Sequence, residues 1–193
     1  MSRWEPNARG RLEQAAAELF AERGYDQTTV AGIAERAGLT ERTFFRHFAD
    51  KREVLFSGQE RFRDSFVSAV AGAPAGATPV EALAAGLYAA GDLVQGRAGL
   101  SPQRQAIIDA HPELQERELI KMARLGEAAA AALRDRGVAE PAATLTAETG
   151  IAVFRIAFAR WLEEGVTRPL PGVMKETLGE LIALYAPVPV SPA

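Results

Sequence analysis

Two arginines and two phenylalanines alternate along residues 41–48 with the spacing of one helical turn. Arg42 and Arg46 are four residues apart, and so are Phe44 and Phe48. At about 100° per residue, the members of each pair lie within roughly 40° of each other, and the two pairs lie on different sides of a helix. One side can therefore anchor the segment in an apolar core while the other presents cations outward. This arrangement suits contact with a polyanion.

The elements that must position these arginines are two short helices joined by a sharp turn. Thr29 precedes an apolar periodic segment, where its hydroxyl can cap a helix that ends at Gly38, and Thr40 can cap the next helix. Gly38 can adopt the left-handed conformation that such a turn needs, and the small Ala34 permits close approach of the helices. The pattern is typical of a helix-turn-helix.

Helical periodicity continues along the rest of the chain, and few segments alternate with the period of a strand. We therefore predict an all-α protein without a sheet, in which an N-terminal three-helix unit shares its fourth helix with a larger C-terminal bundle. The expected domains are residues 1–52, residues 53–186 and a flexible tail at 187–193. The predicted helices are 7–23, 30–38, 41–48, 51–70 (capped by Asp50), 79–96, 102–110, 112–136, 142–165 and 171–186.

The usual signatures of an enzyme are missing from the sequence. It has no cysteine, no Gly-x-Ser-x-Gly, no His-Glu-x-x-His and no Gly-rich nucleotide loop. Of its two histidines, His111 lies between Asp109 and Glu113, and we interpret it as a helix-junction residue rather than a metal ligand. We expect no enzyme, no cofactor and no metal. The short apolar runs and the start of the chain predict a cytoplasmic protein without a membrane segment or signal peptide.

Residues 9–55 resemble the DNA-binding region of the TetR/AcrR family of transcriptional regulators. The resemblance lies in the helix-one pattern of residues 12–20 with Gly24 and Tyr25, in residues 28–30 and 33–38, and in Thr43-Phe44-Phe45-Arg46-His47-Phe48 followed by Lys51. It implies a homodimer that binds a near-palindromic double-stranded DNA operator, as a repressor. The recognition helices would lie about 34–36 Å apart, and a small molecule in the C-terminal bundle would release the DNA.

The resemblance also implies which residues contact DNA. Thr29 would hold a phosphate together with the N-terminal amides of its helix. Arg42 could donate two hydrogen bonds to guanine, and Glu41 could accept one from cytosine. The candidates for base edges are Thr40, Glu41, Arg42 and Thr43, and those for the backbone include His47 and Lys51.

Phe45 departs from the family pattern, which very often has a tyrosine there whose hydroxyl reaches a phosphate. Phenylalanine cannot make that bond, and packing in the core and contact with DNA both remain open for it. The neighbouring Arg46 is a candidate for the missing phosphate contact.

The C-terminal bundle has more large apolar side chains than one helix pair needs. A subset could line a cavity for an apolar or amphipathic effector, an acyl-thioester-like or another hydrophobic metabolite. A short likeness of residues 107–117 to family members with such ligands favours this choice. The pocket candidates are Phe62, Phe66, Tyr88, Ile107, His111, Met122 and Phe158.

Apolar stripes on the last two long helices predict a dimer interface, as the family resemblance also implies. The alternative is that these stripes fold onto the chain's own core. The interface candidates are Phe154, Trp161, Leu178, Leu181, Ile182 and Tyr185. Three evenly spaced glycines, Gly86, Gly91 and Gly96, indicate either a bent helix beside a ligand space or close helix packing.

The formal net charge of -3 at first argues against DNA binding. Residues 1–63 nevertheless carry 11 Lys/Arg against 10 Asp/Glu. Binding must therefore depend on where the cations lie, and it should weaken steeply with salt. A helical architectural module that binds DNA without sensing a ligand remains the alternative function.

Overall fold

Ten α-helices follow one another between residues 7 and 185, the range that the computed structural model describes. Within this range there is no strand, so the prediction of an all-α protein is confirmed. The predicted tail at 187–193 lies outside the described residues. The helices are α1 (Ala8–Arg23), α2 (Val30–Arg36), α3 (Glu41–His47), α4 (Lys51–Leu55), α5 (Gln59–Ala71), α6 (Pro79–Gln95), α7 (Ser101–Asp109), α8 (Pro112–Asp135), α9 (Ala142–Glu163) and α10 (Leu170–Leu184).

Side-chain caps start α2, α3 and α4, as predicted. Thr29 Oγ accepts a hydrogen bond from a backbone N–H of α2 at 3.1 Å, and Thr40 Oγ accepts one from α3 at 3.2 Å. Asp50 does the same for α4 at 2.9 Å. Each cap satisfies a backbone donor that the helix itself leaves unpaired. Gly38 has φ +64°, the predicted left-handed conformation that allows the turn between α2 and α3.

The prediction of one helix over residues 51–70 is wrong. The chain leaves the helix after Leu55 and starts a new one at Gln59. Phe56 is buried in the core, and Gly58 has φ +85°, a left-handed conformation that most residues avoid. The glycine was visible in the sequence, but the apolar periodicity on both sides of it masked the break.

The first compact unit, here called the head, consists of residues 7–60 together with Pro102–Gln115. Its core contains side chains of α1, α2 and α3, including the fully buried Leu12, Ile33 and Phe44. Two residues from much later in the chain, Ile108 and Leu114, are fully buried in the same core. The compact unit therefore differs from the predicted domain, which ended at residue 52.

The second compact unit, here called the bundle, comprises residues 61–101 and 116–185. Its α6 runs without interruption from Pro79 to Gln95 and packs closely against its neighbours. A Cβ on Gly86 would lie 2.7 Å from Val70 Cγ2, and one on Gly91 would lie 2.9 Å from Met174 Sδ. Close packing is thus the role of these two glycines, and Gly96 lies at the end of the helix.

Candidate nucleic-acid interface

The recognition helix α3 is sharply divided into a buried and an exposed side. Phe44 and Phe48 are buried in the head core, and their rings lie tilted against each other with 5.5 Å between centroids. Glu41, Arg42 and Arg46 are exposed. The predicted combination of apolar anchoring and outward cations is therefore present in the folded helix.

Most other cations of the head are already engaged. Arg11 donates to the Ala37 carbonyl, and Arg36 holds Glu22 at 2.7 Å and Glu18 at 3.3 Å. These contacts tie α1 to α2 and leave those guanidinium groups less able to reach a ligand. Two further arginines form surface ion pairs, Arg9 with Glu13 and Arg52 with Asp50.

The guanidinium groups of Arg42 and Arg46 form no ion pair or hydrogen bond within residues 7–185. Arg23, at the end of α1, shares this property in the head. Two of the head's three cations without such a partner therefore lie on the outward side of α3. A guanidinium in this state can donate to a phosphate or a base edge without first giving up an internal partner.

Phe45 stands on the exposed side of α3, with 55% of its surface accessible. Its ring meets Phe44 edge-on at 5.6 Å but is not covered by the core. Of the two interpretations left open for this residue, the structure disfavours core packing. Contact with DNA remains a prediction.

Thr29, Thr40 and Thr43 lie where the two short helices begin. Thr29 is exposed, and since its oxygen accepts from the Gly32 N–H, its own O–H remains able to donate. Thr40 and Thr43 lie with their hydroxyls 3.0 Å apart. The half-buried Thr43 stands at the flank of the exposed side rather than at its centre.

His47 is half-buried, and its Nε2 is buried with no hydrogen-bond partner among residues 7–185. Burial lowers the pKa of this imidazole, and the charges of Arg46 and Arg9 lower it further. The ring is therefore neutral at pH 7, and a contact with phosphate would be a hydrogen bond without a full positive charge.

Lys51 has a role inside the head that its sequence position did not reveal. Its ammonium donates to the carbonyls of Tyr25 at 2.8 Å, Thr28 at 3.1 Å and Asp26 at 3.3 Å, and it lies 4.3 Å from the centroid of the Tyr25 ring. All three of its donors thus hold the loop between α1 and α2. A phosphate contact would have to compete with them, so that contact stays a prediction.

The pocket candidates divide between the two units. Phe66 is buried in the bundle core, whereas Phe62, Tyr88, Met122 and Phe158 are half-buried against it. Ile107 and His111 instead belong to the head, where Ile107 packs against the head core and His111 contacts Tyr25. These two candidates therefore lie in a different compact unit from the other five, and their role in a pocket stays a prediction.

Four aromatic rings form a row through the bundle. Phe62 meets Phe154 edge-on at 5.1 Å, Phe154 stacks on Phe158 at 5.8 Å, and Phe158 tilts against Trp161 at 5.8 Å. The indole N–H of Trp161 donates to the Arg168 carbonyl at 2.7 Å. Along the row, the half-buried rings of Phe62 and Phe158 alternate with the buried rings of Phe154 and Trp161.

The interface candidates on α9 and α10 fall into buried and accessible residues. Phe154, Trp161 and Leu178 are buried in the chain's own core, which was the alternative interpretation of the stripes. Leu181 is half-buried, and Ile182 and Tyr185 are exposed.

Two further large apolar side chains of α9, Leu145 and Ile156, are exposed although they were not among the predicted interface residues. They fall on the opposite side of the helix from Trp161, and periodicity alone could not tell which of the two apolar sides faces inward.

Comparison with known proteins agrees with this geometry. Residues 13–57 match the family described as bacterial regulatory proteins, tetR family. The HTH-type transcriptional regulator TcmR of Streptomyces glaucescens is 43% identical over 75 residues, which are 39% of this chain and 33% of TcmR. The chain thus matches about a third of the length of this curated relative.

Solved structures extend the similarity to the whole chain at the level of fold. FadR from Bacillus subtilis, in complex with stearoyl-CoA, aligns with a TM-score of 0.65 and 20% identity over 91% of this chain and 98% of that one. The Thermus thermophilus transcriptional repressor FadR, in complex with lauroyl-CoA, aligns with a TM-score of 0.58 and 24% identity over 96% and 98%. Residues 13–57 are therefore similar to the helix-turn-helix segment of the tetR family of bacterial regulatory proteins, and the chain shares the fold of these two solved regulators.

Proposed function

We propose that the protein is a ligand-responsive transcriptional repressor that binds operator DNA as a homodimer and releases it when a small apolar or amphipathic effector binds the bundle. The observation that carries the proposal is the division of α3 into buried phenylalanines and outward arginines whose guanidinium groups have no ion-pair or hydrogen-bond partner among residues 7–185. The proposal assigns the protein no catalytic step.

On DNA, α3 lies in the major groove with its exposed side toward the bases. Arg42 donates two hydrogen bonds to a guanine, and Glu41 accepts from a cytosine. Arg46, Thr29 and His47 reach the phosphate backbone. The exposed ring of Phe45 packs against a thymine methyl group or a sugar, which is the apolar contact that the groove offers.

A second copy of the chain covers the exposed apolar side of α9 and the end of α10. Of the ten large apolar side chains exposed between residues 7 and 185, five lie there, namely Leu145, Ile156, Ile182, Leu184 and Tyr185. On α10, Gly172 and Gly179 have open space where a Cβ would stand, which lets a partner helix approach closely. A two-fold axis through this surface pairs two heads, as a palindromic operator requires.

Helix α9 is also long and apolar enough to cross a membrane by length and composition. Its inner side packs in the bundle core, and its outer side carries the exposed charges of Glu148 and Arg155 midway along the helix. Charges at that depth are costly in lipid but are common at the rim of a protein interface. We therefore assign α9 to the dimer and place the protein in the cytoplasm.

We assign the effector site to the bundle, where the half-buried apolar side chains Phe62, Tyr88, Met122 and Phe158 each pack against the core. The hydroxyl of Tyr88 makes no hydrogen bond within residues 7–185, and burial raises its pKa, so it remains a neutral donor for a ligand. The two FadR structures hold long-chain acyl-CoA molecules. A fatty acyl-CoA, with an apolar chain and a polar head, is therefore the effector class that we propose.

The test is fluorescence anisotropy with the intergenic DNA that flanks the gene, with and without lauroyl-CoA or stearoyl-CoA. We expect saturable binding that weakens steeply with salt, and release by the acyl-CoA but not by free coenzyme A. Thermal unfolding in the same solutions should show stabilisation by the acyl-CoA alone.

Two results would separate this proposal from its alternatives. DNA binding that no acyl-CoA reverses, together with an unchanged melting temperature, would favour an architectural module without a sensor. Absence of binding to every flanking segment at low salt would contradict the regulator itself.

A further inference from the structure

Residues 102–115 contribute to the head although they lie far along the chain from its other helices. Ile108 and Leu114 are fully buried in the head core. Arg104 donates from Nε to the Leu55 carbonyl at 2.8 Å, and its guanidinium lies 5.2 Å from the centroid of the Phe56 ring. The segment is therefore anchored at the end of α4 as well as in the core.

His111 lies at the junction of α7 and α8, and both of its ring nitrogens face oxygen atoms that can only accept. Nδ1 lies 2.6 Å from the Ile107 carbonyl oxygen, and Nε2 lies 3.2 Å from Asp26 Oδ1. Neutral imidazole has only one N–H and would leave one nitrogen lone pair facing an acceptor. The imidazolium has two and can donate to both. The geometry therefore favours the protonated form.

The His111 ring also completes a stack that joins three elements of the head. It meets the Tyr25 ring edge-on at 4.8 Å, and the Lys51 ammonium lies near the same tyrosine ring. Since Lys51 also donates to the Tyr25 and Thr28 carbonyls, the stack fixes the loop between α1 and α2. That loop leads directly to Thr29, the cap of α2 and a proposed phosphate contact.

The charges around this stack favour the same protonation state. The Ile107 carbonyl is the main cause that raises the pKa of His111, and Asp26 and Glu113 raise it further, while burial opposes them. The neighbouring Tyr25 stays neutral because burial raises its pKa to about 12. The charged groups next to the stack are Asp26 in the loop, Glu113 in α8, and Asp50, Lys51 and Arg52 at the start of α4.

We propose that His111, as an imidazolium, is a positioning residue for operator binding that holds the α1–α2 loop from the α7–α8 junction. Operator affinity then decreases as the pH rises through the His111 pKa. The inference rests on the proposed DNA-binding function.

The sign follows from proton linkage. A histidine whose folded pKa is raised stabilises the fold fully below its unfolded pKa, about 6.5, and this contribution is lost as the pH rises through the folded pKa. The head is therefore best ordered in mildly acidic solution and loosens towards alkaline pH.

The first test measures both histidine pKa values by NMR on the full-length protein. The chain has two histidines, so His47→Gln and His111→Gln proteins assign the two sets of ring signals. We expect His111 to titrate above 6.5 and His47 below it. Asp26→Asn, a change at an exposed side chain, should lower the His111 midpoint. The control Asp109→Asn removes a carboxylate that accepts from Gln105 instead, and it should leave the midpoint in place.

The second test measures operator affinity against pH for the wild type, Asp26→Asn and Asp109→Asn. His47 and the DNA titrate in the same way in both measurements. Dividing the wild-type affinity by the Asp26→Asn affinity therefore cancels their contributions to the pH dependence. We expect this ratio to be greatest at acidic pH and to fall towards one at alkaline pH. The total decrease of the ratio is up to about tenfold for each unit by which Asp26→Asn lowers the His111 pKa. Asp109→Asn should follow the wild type.

The results that overturn the inference differ from those that overturn the proposed function. A His111 midpoint at or below 6.5, or one that Asp26→Asn leaves unchanged, removes its structural basis. An affinity ratio that is flat with pH, while the wild type binds its operator, removes the positioning role. If the wild type binds no operator at any pH, the proposed function fails, and the NMR titration alone then decides whether the imidazolium contact exists.

Discussion

At the scale of single residues, the decisive property of a cation in the head is whether its charge is already used. Within the described residues 7–185, Arg42 and Arg46 have no ion-pair or hydrogen-bond partner, whereas Arg11 and Arg36 stabilise the packing of α1 against α2. An overall count of charges cannot make this distinction. The difference between engaged and unengaged arginines explains how an acidic protein can still present a cationic surface on one helix.

Alanine variants of the outward arginines test this distinction. We expect Arg46→Ala to weaken operator binding and to reduce the slope of log K against log salt by about one, because one phosphate contact is lost. Arg42→Ala should cost about 1–3 kcal/mol of binding free energy and relax the preference at one base pair. Anisotropy titrations across salt concentrations and operator variants measure both effects.

Arg23→Ala is the matched control, since the Arg23 side chain also lacks a partner in the described part of the chain but lies on α1, outside α3. It should leave the base preference unchanged. If it changed binding as much as Arg46→Ala does, affinity would follow net charge and not position.

Lys51 allows a second prediction at this scale. Lys51→Met should lower the free energy of unfolding by about 2 kcal/mol, because three loop carbonyls lose a charged donor. Arg52→Ala, which removes an adjacent surface ion pair with Asp50, should cost less than about 1 kcal/mol. Urea unfolding of both variants measures the difference, and equal losses would show that Lys51 has no special structural role.

These residues also show how far sequence reasoning extends. The caps of Thr29, Thr40 and Asp50 were predictable because each bonds a backbone amide three residues away. The internal partners of Lys51 lie more than twenty residues earlier, and those of His111 include Asp26, 85 positions away. No local pattern encodes such contacts, so the structural role of Lys51 and the membership of His111 in the head were not predicted.

At the scale of elements, helix α6 depends on how closely its glycines let other helices approach. Gly86→Ala should lower the unfolding free energy by about 1–3 kcal/mol, because the new methyl group would meet Val70 and the Phe66 backbone. Gly96→Ala, at the end of the same helix, has ordinary contact distances and should be neutral or stabilising by up to about 1 kcal/mol. Denaturant midpoints of the two variants provide the comparison, and a stabilised Gly86→Ala protein would contradict the close packing.

The packing of glycines also explains which of the predicted helix boundaries are correct. Nine predicted helices appear as ten because left-handed Gly58 separates α4 from α5, while Gly86 and Gly91 interrupt nothing. The presence of a glycine in the sequence does not by itself predict whether the helix ends there or whether a neighbouring helix packs closely against it. Tertiary packing makes that choice, as it also decides that Phe154 and Trp161 of α9 face inward and Ile156 faces outward.

At the scale of the whole molecule, the proposed function requires two heads held at a fixed distance, and the exposed side of α9 and α10 is the surface proposed to hold them. Ile156, with 60% of its surface exposed, lies near the middle of that side. Ile156→Glu should convert the proposed dimer to a monomer, because a carboxylate would lose its hydration where an apolar side chain is expected to be buried against the second copy. Light scattering after size-exclusion chromatography measures the mass directly.

Leu119→Glu is the matched control, since Leu119 is similarly exposed (56%) but lies on α8, outside the proposed interface. This variant should remain a dimer and keep operator affinity, whereas Ile156→Glu should bind a full palindrome no better than a half-site, because the second head no longer adds its contacts. A dimeric Ile156→Glu protein, or a Leu119→Glu protein that dissociates, would move the interface away from α9. The two heads would then be held by a different surface, and the effector proposed for the bundle would have to act through that surface.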